Sequence, residues 1–164
     1  MKIFVININE FPLEENILEQ YAEQNKKQQH CYGRYLVHNV AKKVFGIENT
    51  EIEIVKKKPK FKHSDLQFSI SHSENMVIVA FDEKPLGADI EIMKERNFKD
   101  LFARYNIQSD SKELFYTYWT EYEATIKLQG TAKTKIHTTI DNFMVSVVGD
   151  FDEKYEIIDY KTLI

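Results

Sequence analysis

Residues 66–92, LQFSISHSENMVIVAFDEKPLGADIEI, hold three apolar-patterned runs separated by two short polar breaks. From Leu66 to Ile70 apolar and polar side chains alternate, which is the two-residue period of a half-buried strand. Met76 to Phe81 is continuously apolar, as a strand covered on both faces would be. Asp82-Glu83-Lys84-Pro85 then supplies turn chemistry before Leu86 to Ile92 resumes a strand composition. The three runs predict a small antiparallel sheet in the middle of the chain.

Working outward, Ile3-Phe4-Val5-Ile6 reads as a first strand, and Leu13 to Lys27 carries helix formers after Pro12. A second helix is expected over Gln29 to Phe45, where Tyr32, Tyr35, Leu36, Val40 and Val44 recur near the helical period, with Gly46 as its natural stop. Ile52 and Ile54 alternate with Glu51 and Glu53, predicting a short strand before a lysine-rich segment. Phe98 to Tyr105 fits a short helix. Asp110 with Glu113 offers a capping pair for a long helix ending at Gly130. In that helix Phe115, Tyr118, Trp119, Tyr122 and Ile126 fall at i, i+3, i+4, i+7 and i+11, the spacing of a core stripe. Phe143 to Val148 and Tyr155 to Ile158 are expected to close the chain as a hairpin. The sum is an α+β fold of two lobes, residues 1–84 and 85–164, with helices packed on antiparallel strands.

With 164 residues, 43% of them hydrophobic, the chain is long enough to bury its own core. Its net charge of −4 argues against non-specific grip on nucleic acid, which calls for a basic excess. One basic stretch runs against the average: Lys56, Lys57, Lys58, Lys60, Lys62 and His63 surround Pro59, reading either as a solvated loop or as a contact for a small polyphosphate. The single cysteine, Cys31, excludes an intramolecular disulfide and a cysteine-rich zinc site, so a reducing cytoplasm is the simplest setting. Ile3 to Ile8 is too short for a secretory leader core, and Met76 to Phe81 is too short to cross a bilayer. His30, His38, His63 and His137 lack zinc spacing and read as structural or exposed.

Asp89 and Glu91 are two residues apart on a strand, so both carboxylates project from one face while Ile90 points the other way. Such a pair is either an exposed acidic face or an oxygen-only seat for Mg²⁺. Glu123 and Lys127 lie one turn apart on the long helix and could form a simple surface ion pair. Ser71 and His72 are adjacent on a strand and point to opposite faces, which excludes a nucleophile-base dyad between them.

Phe68-Ser69-Ile70-Ser71-His72-Ser73, Gly87-Ala88-Asp89-Ile90-Glu91 and Trp119-Thr120-Glu121-Tyr122-Glu123-Ala124-Thr125-Ile126-Lys127 occur in this order, and together they resemble the signature of the 4′-phosphopantetheinyl transferases, most closely the surfactin-synthetase type. The resemblance implies two similar lobes related by a pseudo-twofold axis, with the site in the cleft between them. It implies transfer of phosphopantetheine from coenzyme A to a serine of an acyl or peptidyl carrier protein, with Mg²⁺ held by Asp89, Glu91 and Glu123. By the same resemblance Glu123 accepts the serine proton, Lys127 stabilises the leaving group, and Lys58, Ser71 and His72 contact coenzyme A. Arg96, Lys99 and Arg104 would meet the acidic carrier helix. Tyr122 stands where many surfactin-type members carry lysine, and Gln28 and Gln29 where an arginine for the 3′-phosphate is sought, leaving Arg34, Lys42 or Lys43 as substitutes. No nucleic acid or membrane partner is expected, and the chain is expected to act as a monomer in the cytoplasm. Two other readings stay open: a catalytically weakened relative that binds the carrier or coenzyme A, and an α+β interaction module that matches by accident.

Overall fold

The computed structural model describes residues 1–22 and 27–164. Its elements run β1 (Lys2–Asn7), α1 (Glu15–Gln20), α2 (Gln28–Phe45), β2 (Ile52–Val55), β3 (Lys58–Phe61), β4 (Gln67–Ser73), β5 (Met76–Asp82), β6 (Leu86–Ile92), α3 (Phe98–Ala103), α4 (Lys112–Leu128), β7 (Thr134–Ile140), β8 (Phe143–Gly149) and β9 (Glu156–Asp159), followed by a 3₁₀ turn over Tyr160–Leu163. The mixed α+β class is as the sequence predicts. No helix among the described residues is long and apolar enough to cross a membrane.

Strands β4, β5, β1 and β9 form one sheet in that order, β6, β8 and β7 form a second, and β2 with β3 makes a separate hairpin. Because side chains alternate across a strand, the first sheet has two working faces. Phe4, Ile6, Val77, Val79 and Phe81 pack against Tyr32, Leu36, Val37 and Val40 of α2. Ile3, Val5, Ile78 and Ala80 on the other face meet Leu86, Ala88, Ile90, Val145 and Val147 of the second sheet. The far side of that second sheet is covered by α4, through Ala124 and Leu128 against Val148. The layers therefore run helix, sheet, sheet, helix, and most of the cohesion is apolar burial between them.

Several expectations change. The middle region is not one antiparallel sheet: β4 pairs with β5, but β6 joins β8 instead. The expected terminal hairpin is absent among the described residues, because β8 pairs with β7 and β6 while β9 crosses back to run parallel to β1. β7, Thr134-Lys135-Ile136-His137-Thr138-Thr139-Ile140, was hidden by its polar composition, which suits the rim of a sheet. β3 turns part of the basic segment into strand. The helix expected over Leu13 to Lys27 is only Glu15–Gln20 within the described residues, and its positions 23–26 lie outside them. Ser111, not Asp110, caps α4, accepting from the Leu114 amide, and Gln129 rather than Gly130 takes the left-handed position at its end. Gly46 ends α2 as expected, at φ 67°.

The largest correction concerns α4. Its buried residues are Tyr116, Thr120, Ala124 and Leu128, a stripe at i, i+4, i+8 and i+12. Tyr118, Trp119, Tyr122 and Ile126, which the periodicity assigned to the core, are exposed. Small residues win the buried face because the helix lies very close to β6. A Cβ on Gly87 would sit 1.9 Å from the Ala124 carbonyl oxygen and 2.6 Å from the Leu128 amide. Gly87→Ala must push α4 off the sheet, and overpacking of this kind lowers folding stability by at least about 2 kcal/mol. Urea denaturation of the variant checks that expectation.

Candidate active site

The edges of the two sheets, β4 and β6, face each other without a main-chain ladder. Side chains take its place. In an antiparallel strand alternate residues direct both backbone groups to the same neighbour, so the amides of Ala88, Ile90 and Ile92 point away from β8. Each is met by a serine hydroxyl: Ser69 at 2.9 Å, Ser71 at 3.3 Å and Ser73 at 3.1 Å. The carbonyls on the same edge take ammonium groups, Lys58 Nζ donating to Leu86 O at 2.8 Å and Lys127 Nζ to Ala88 O at 3.1 Å. Five side chains from β3, β4 and α4 thus satisfy an edge that would otherwise leave buried polar groups unpaired.

On this edge sit Asp89 and Glu91, facing α4 as the strand period requires. Asp89 is 4% exposed. Its Oδ1 accepts from Ser71 Oγ at 2.7 Å and from Lys127 Nζ at 2.7 Å, while its Oδ2 is buried with no hydrogen-bond partner. Lys127 also donates to Ser71 Oγ at 2.9 Å, so its ion pair is with the strand and the simple surface pair with Glu123 is not what the helix uses it for. Glu91 Oε2 accepts from Ser73 Oγ at 3.2 Å, and the Trp119 side chain lies near enough to the same carboxylate to favour its charged form. Desolvation, then the Asp89 charge, raises the Glu91 pKa above its ordinary 4.5.

Glu123 is half-buried on α4, one turn from both Trp119 and Lys127 and so on the ridge whose ends touch Glu91 and Asp89. Among the described residues no group of three or more histidine, cysteine, aspartate or glutamate side chains is arranged to hold a metal ion. His72 points outward from β4 and keeps solvent access. Desolvation, with Lys127 and then His30 adding positive charge, lowers its pKa, against an opposing pull from Asp89. Lys58 is 8% exposed, and desolvation followed by the Lys60 charge lowers its pKa. Of the residues considered for the 3′-phosphate, Arg34 is buried, while Lys42 and Lys43 stand at the exposed end of α2.

No family model matches the chain. Curated proteins do. The 4'-phosphopantetheinyl transferase Sfp of Bacillus subtilis is 31% identical over 58% of this chain and 46% of its own length. A further 4'-phosphopantetheinyl transferase of Bacillus subtilis is 29% identical over 77% of this chain and 62% of its own. A putative 4'-phosphopantetheinyl transferase of Haemophilus influenzae is 33% identical over 48% and 40%. Over the matched stretches the chain is similar to 4′-phosphopantetheinyl transferases. It spans about half the length of the curated relatives it matches.

The sequence motifs supplied Asp89, Glu91, Ser71 and Lys127, which the fold brings into one cluster. Reasoning from sequence missed Ser69 and Ser73. Their signal was present: serines at 69, 71 and 73 share one strand face, and three buried hydroxyls in a row need three partners. It also missed a second polar chain, in which Thr120 Oγ1 and His137 Nδ1 lie 2.6 and 2.8 Å from Ser146 Oγ, and His137 Nε2 lies 3.2 Å from Glu121. Ser146 is fully buried, so this serine–histidine–glutamate series pins α4 to β7 and β8 and offers no nucleophile to a substrate.

The raised Glu91 pKa has a sign that can be checked. The unfolded chain gives up this proton at lower pH than the folded one, so stability falls as pH rises from the ordinary glutamate range through the folded value. Glu91→Gln removes that loss. The variant is expected to melt higher than the parent at pH 7, with the advantage gone below pH 4, where both carboxyls are protonated; thermal melts across that range decide it.

Proposed function

We propose that the chain transfers 4′-phosphopantetheine from coenzyme A to a serine of an acyl or peptidyl carrier protein, releasing adenosine 3′,5′-bisphosphate. The observation that carries this reading is Asp89: a carboxylate buried between β6, β4 and α4, paired with Lys127 on one oxygen and unpartnered on the other, beside a desolvated Glu91. The names of the relatives support the reaction class. The helix-sheet-sheet-helix layering supports two lobes related by a pseudo-twofold axis, with the site at their junction.

Asp89 and Glu91 fit as two ligands of a hard divalent cation, and Glu123 would have to turn toward them from α4 to complete the set. These donors are all oxygen, they include a buried orphan atom, and a cation would offset the desolvation and the Asp89 charge that raise the Glu91 pKa. Asp89, Glu91 and Glu123 would hold Mg²⁺, which when bound neutralises pyrophosphate charge during an in-line displacement. The chain's own residues do the rest. Glu123, directly or through one water, accepts the proton of the carrier serine as its oxygen bonds to phosphorus. The bond from that phosphorus to the bridging oxygen breaks, and the electron pair leaves with the bisphosphate. Lys127 offsets the charge that grows there. His72, whose ring feels the Lys127 charge, and Lys127 contact the coenzyme A phosphates. Lys58 and Ser71 serve the site from beneath by fixing the β6 edge.

Beside the acidic pair lies a groove of about 870 Å³ lined by Glu91, Arg96, Phe102, Arg104, Tyr118 and Trp119, among others. Its arginines and exposed rings suit the acidic, amphipathic helix of a carrier protein. A monomer in the cytoplasm is sufficient for this chemistry. One observation favours a second reading, a coenzyme A or carrier binding module without turnover: Lys127 already neutralises Asp89, so the pair is stable without a metal.

Mass spectrometry separates the two. A panel of fatty-acid, polyketide and nonribosomal-peptide apo-carriers, incubated with coenzyme A and Mg²⁺, should contain a member that gains the phosphopantetheine mass. Asp89→Ala should slow that gain by at least ~10²-fold. If a known transferase converts the panel and this chain converts none, the transfer reading fails on these carriers and the binding reading replaces it.

A further inference from the structure

The three serines of β4 do not have the same surroundings. Each accepts one amide of β6, and each has one hydroxyl proton left to place. Ser69 lies beside Gly87, which offers no side chain. Ser71 and Ser73 lie beside Asp89 and Glu91, and both donate to the carboxylate. Ser73 therefore ties one atom of the first sheet both to the main chain of β6, at Ile92 N, and to the side chain of Glu91. Trp119 approaches the same carboxylate from α4. A glutamate has three side-chain torsions, and without such contacts its carboxylate samples several orientations. Ser73 is 8% exposed, so no solvent competes strongly for its hydroxyl.

We infer that Ser73 is a positioning residue for Glu91: it fixes the carboxylate for cation binding and makes that orientation depend on how the two sheets are seated. The inference rests on the metal-dependent reading above. Outer-sphere hydrogen bonds to ligating carboxylates orient them, and their loss commonly weakens metal binding by one to two orders of magnitude.

Ser69 provides the control that separates positioning from support. Ser69→Ala and Ser73→Ala each leave one β6 amide without its acceptor, so both should lower the melting temperature to a similar degree. Only Ser73→Ala also frees a carboxylate. The measurement is a calorimetric Mg²⁺ titration of the full chain with coenzyme A present. Ser73→Ala should weaken Mg²⁺ binding about tenfold, with Ser69→Ala within about twofold of the parent. Ser73→Thr, which keeps the hydroxyl, should bind Mg²⁺ as the parent does. Should Ser73→Ala fail to fold, Ser73→Cys, similar in size but a weak donor, takes its place with the same expected loss.

Equal isotherms for the Ser73 and Ser69 variants, in a parent that binds Mg²⁺, overturn the positioning role and leave the transfer reading standing. So does a Ser73→Thr variant as impaired as Ser73→Ala. A parent that takes up no Mg²⁺ in the presence of coenzyme A overturns the metal-dependent reading and this inference together.

Discussion

The free edge of β6 is the constraint on which the rest of this structure depends. Two sheets packed face to face leave β4 and β6 as neighbouring edges with serine side chains of β4 between them, and the amides and carbonyls of the β6 edge have no main-chain partner across the gap. Orphaned backbone groups of that kind cost roughly 1–3 kcal/mol each, so leaving this edge unmet would consume most of a small domain's stability. Ser69, Ser71, Ser73, Lys58 and Lys127 meet it. The same contacts that join the sheets also surround Asp89 and Glu91, so cohesion and site geometry are one system.

Electrostatics follow from that arrangement. Asp89 is too deeply buried to stand alone as an anion, and Lys127 supplies the compensating charge from α4. Glu91, half-buried and next to that anion, has its charged form disfavoured. One acidic residue thus has an internal cation, and the other lies desolvated beside it.

Helix α4 shows the division of labour most clearly. Its close approach to Gly87 demands small residues on the sheet side, and Thr120 and Ala124 meet that demand. Its aromatic residues are then free to line the groove that opens on Glu91. Trp119 belongs to both worlds, with one edge on the Glu91 carboxylate and two-fifths of its surface exposed.

Periodicity and punctuation in the sequence determined β1, β4, β5, β6 and α2, because β1 and β5, buried on both faces, are continuous apolar runs while α2 and β4 bury chiefly one face. The motif residues determined which carboxylates, lysine and serine gather at the site, because the two-residue strand period and the four-residue helix period place them on facing surfaces. Tertiary structure decided the partners. That β9 runs beside β1 and not β8, that Tyr118 and Tyr122 face outward, and that Lys127 answers Asp89 from α4 all depend on the distance between layers. A period tells which face of an element is apolar, but only packing decides which apolar stripe is covered and which small-residue stripe lets a helix come close enough to be covered instead.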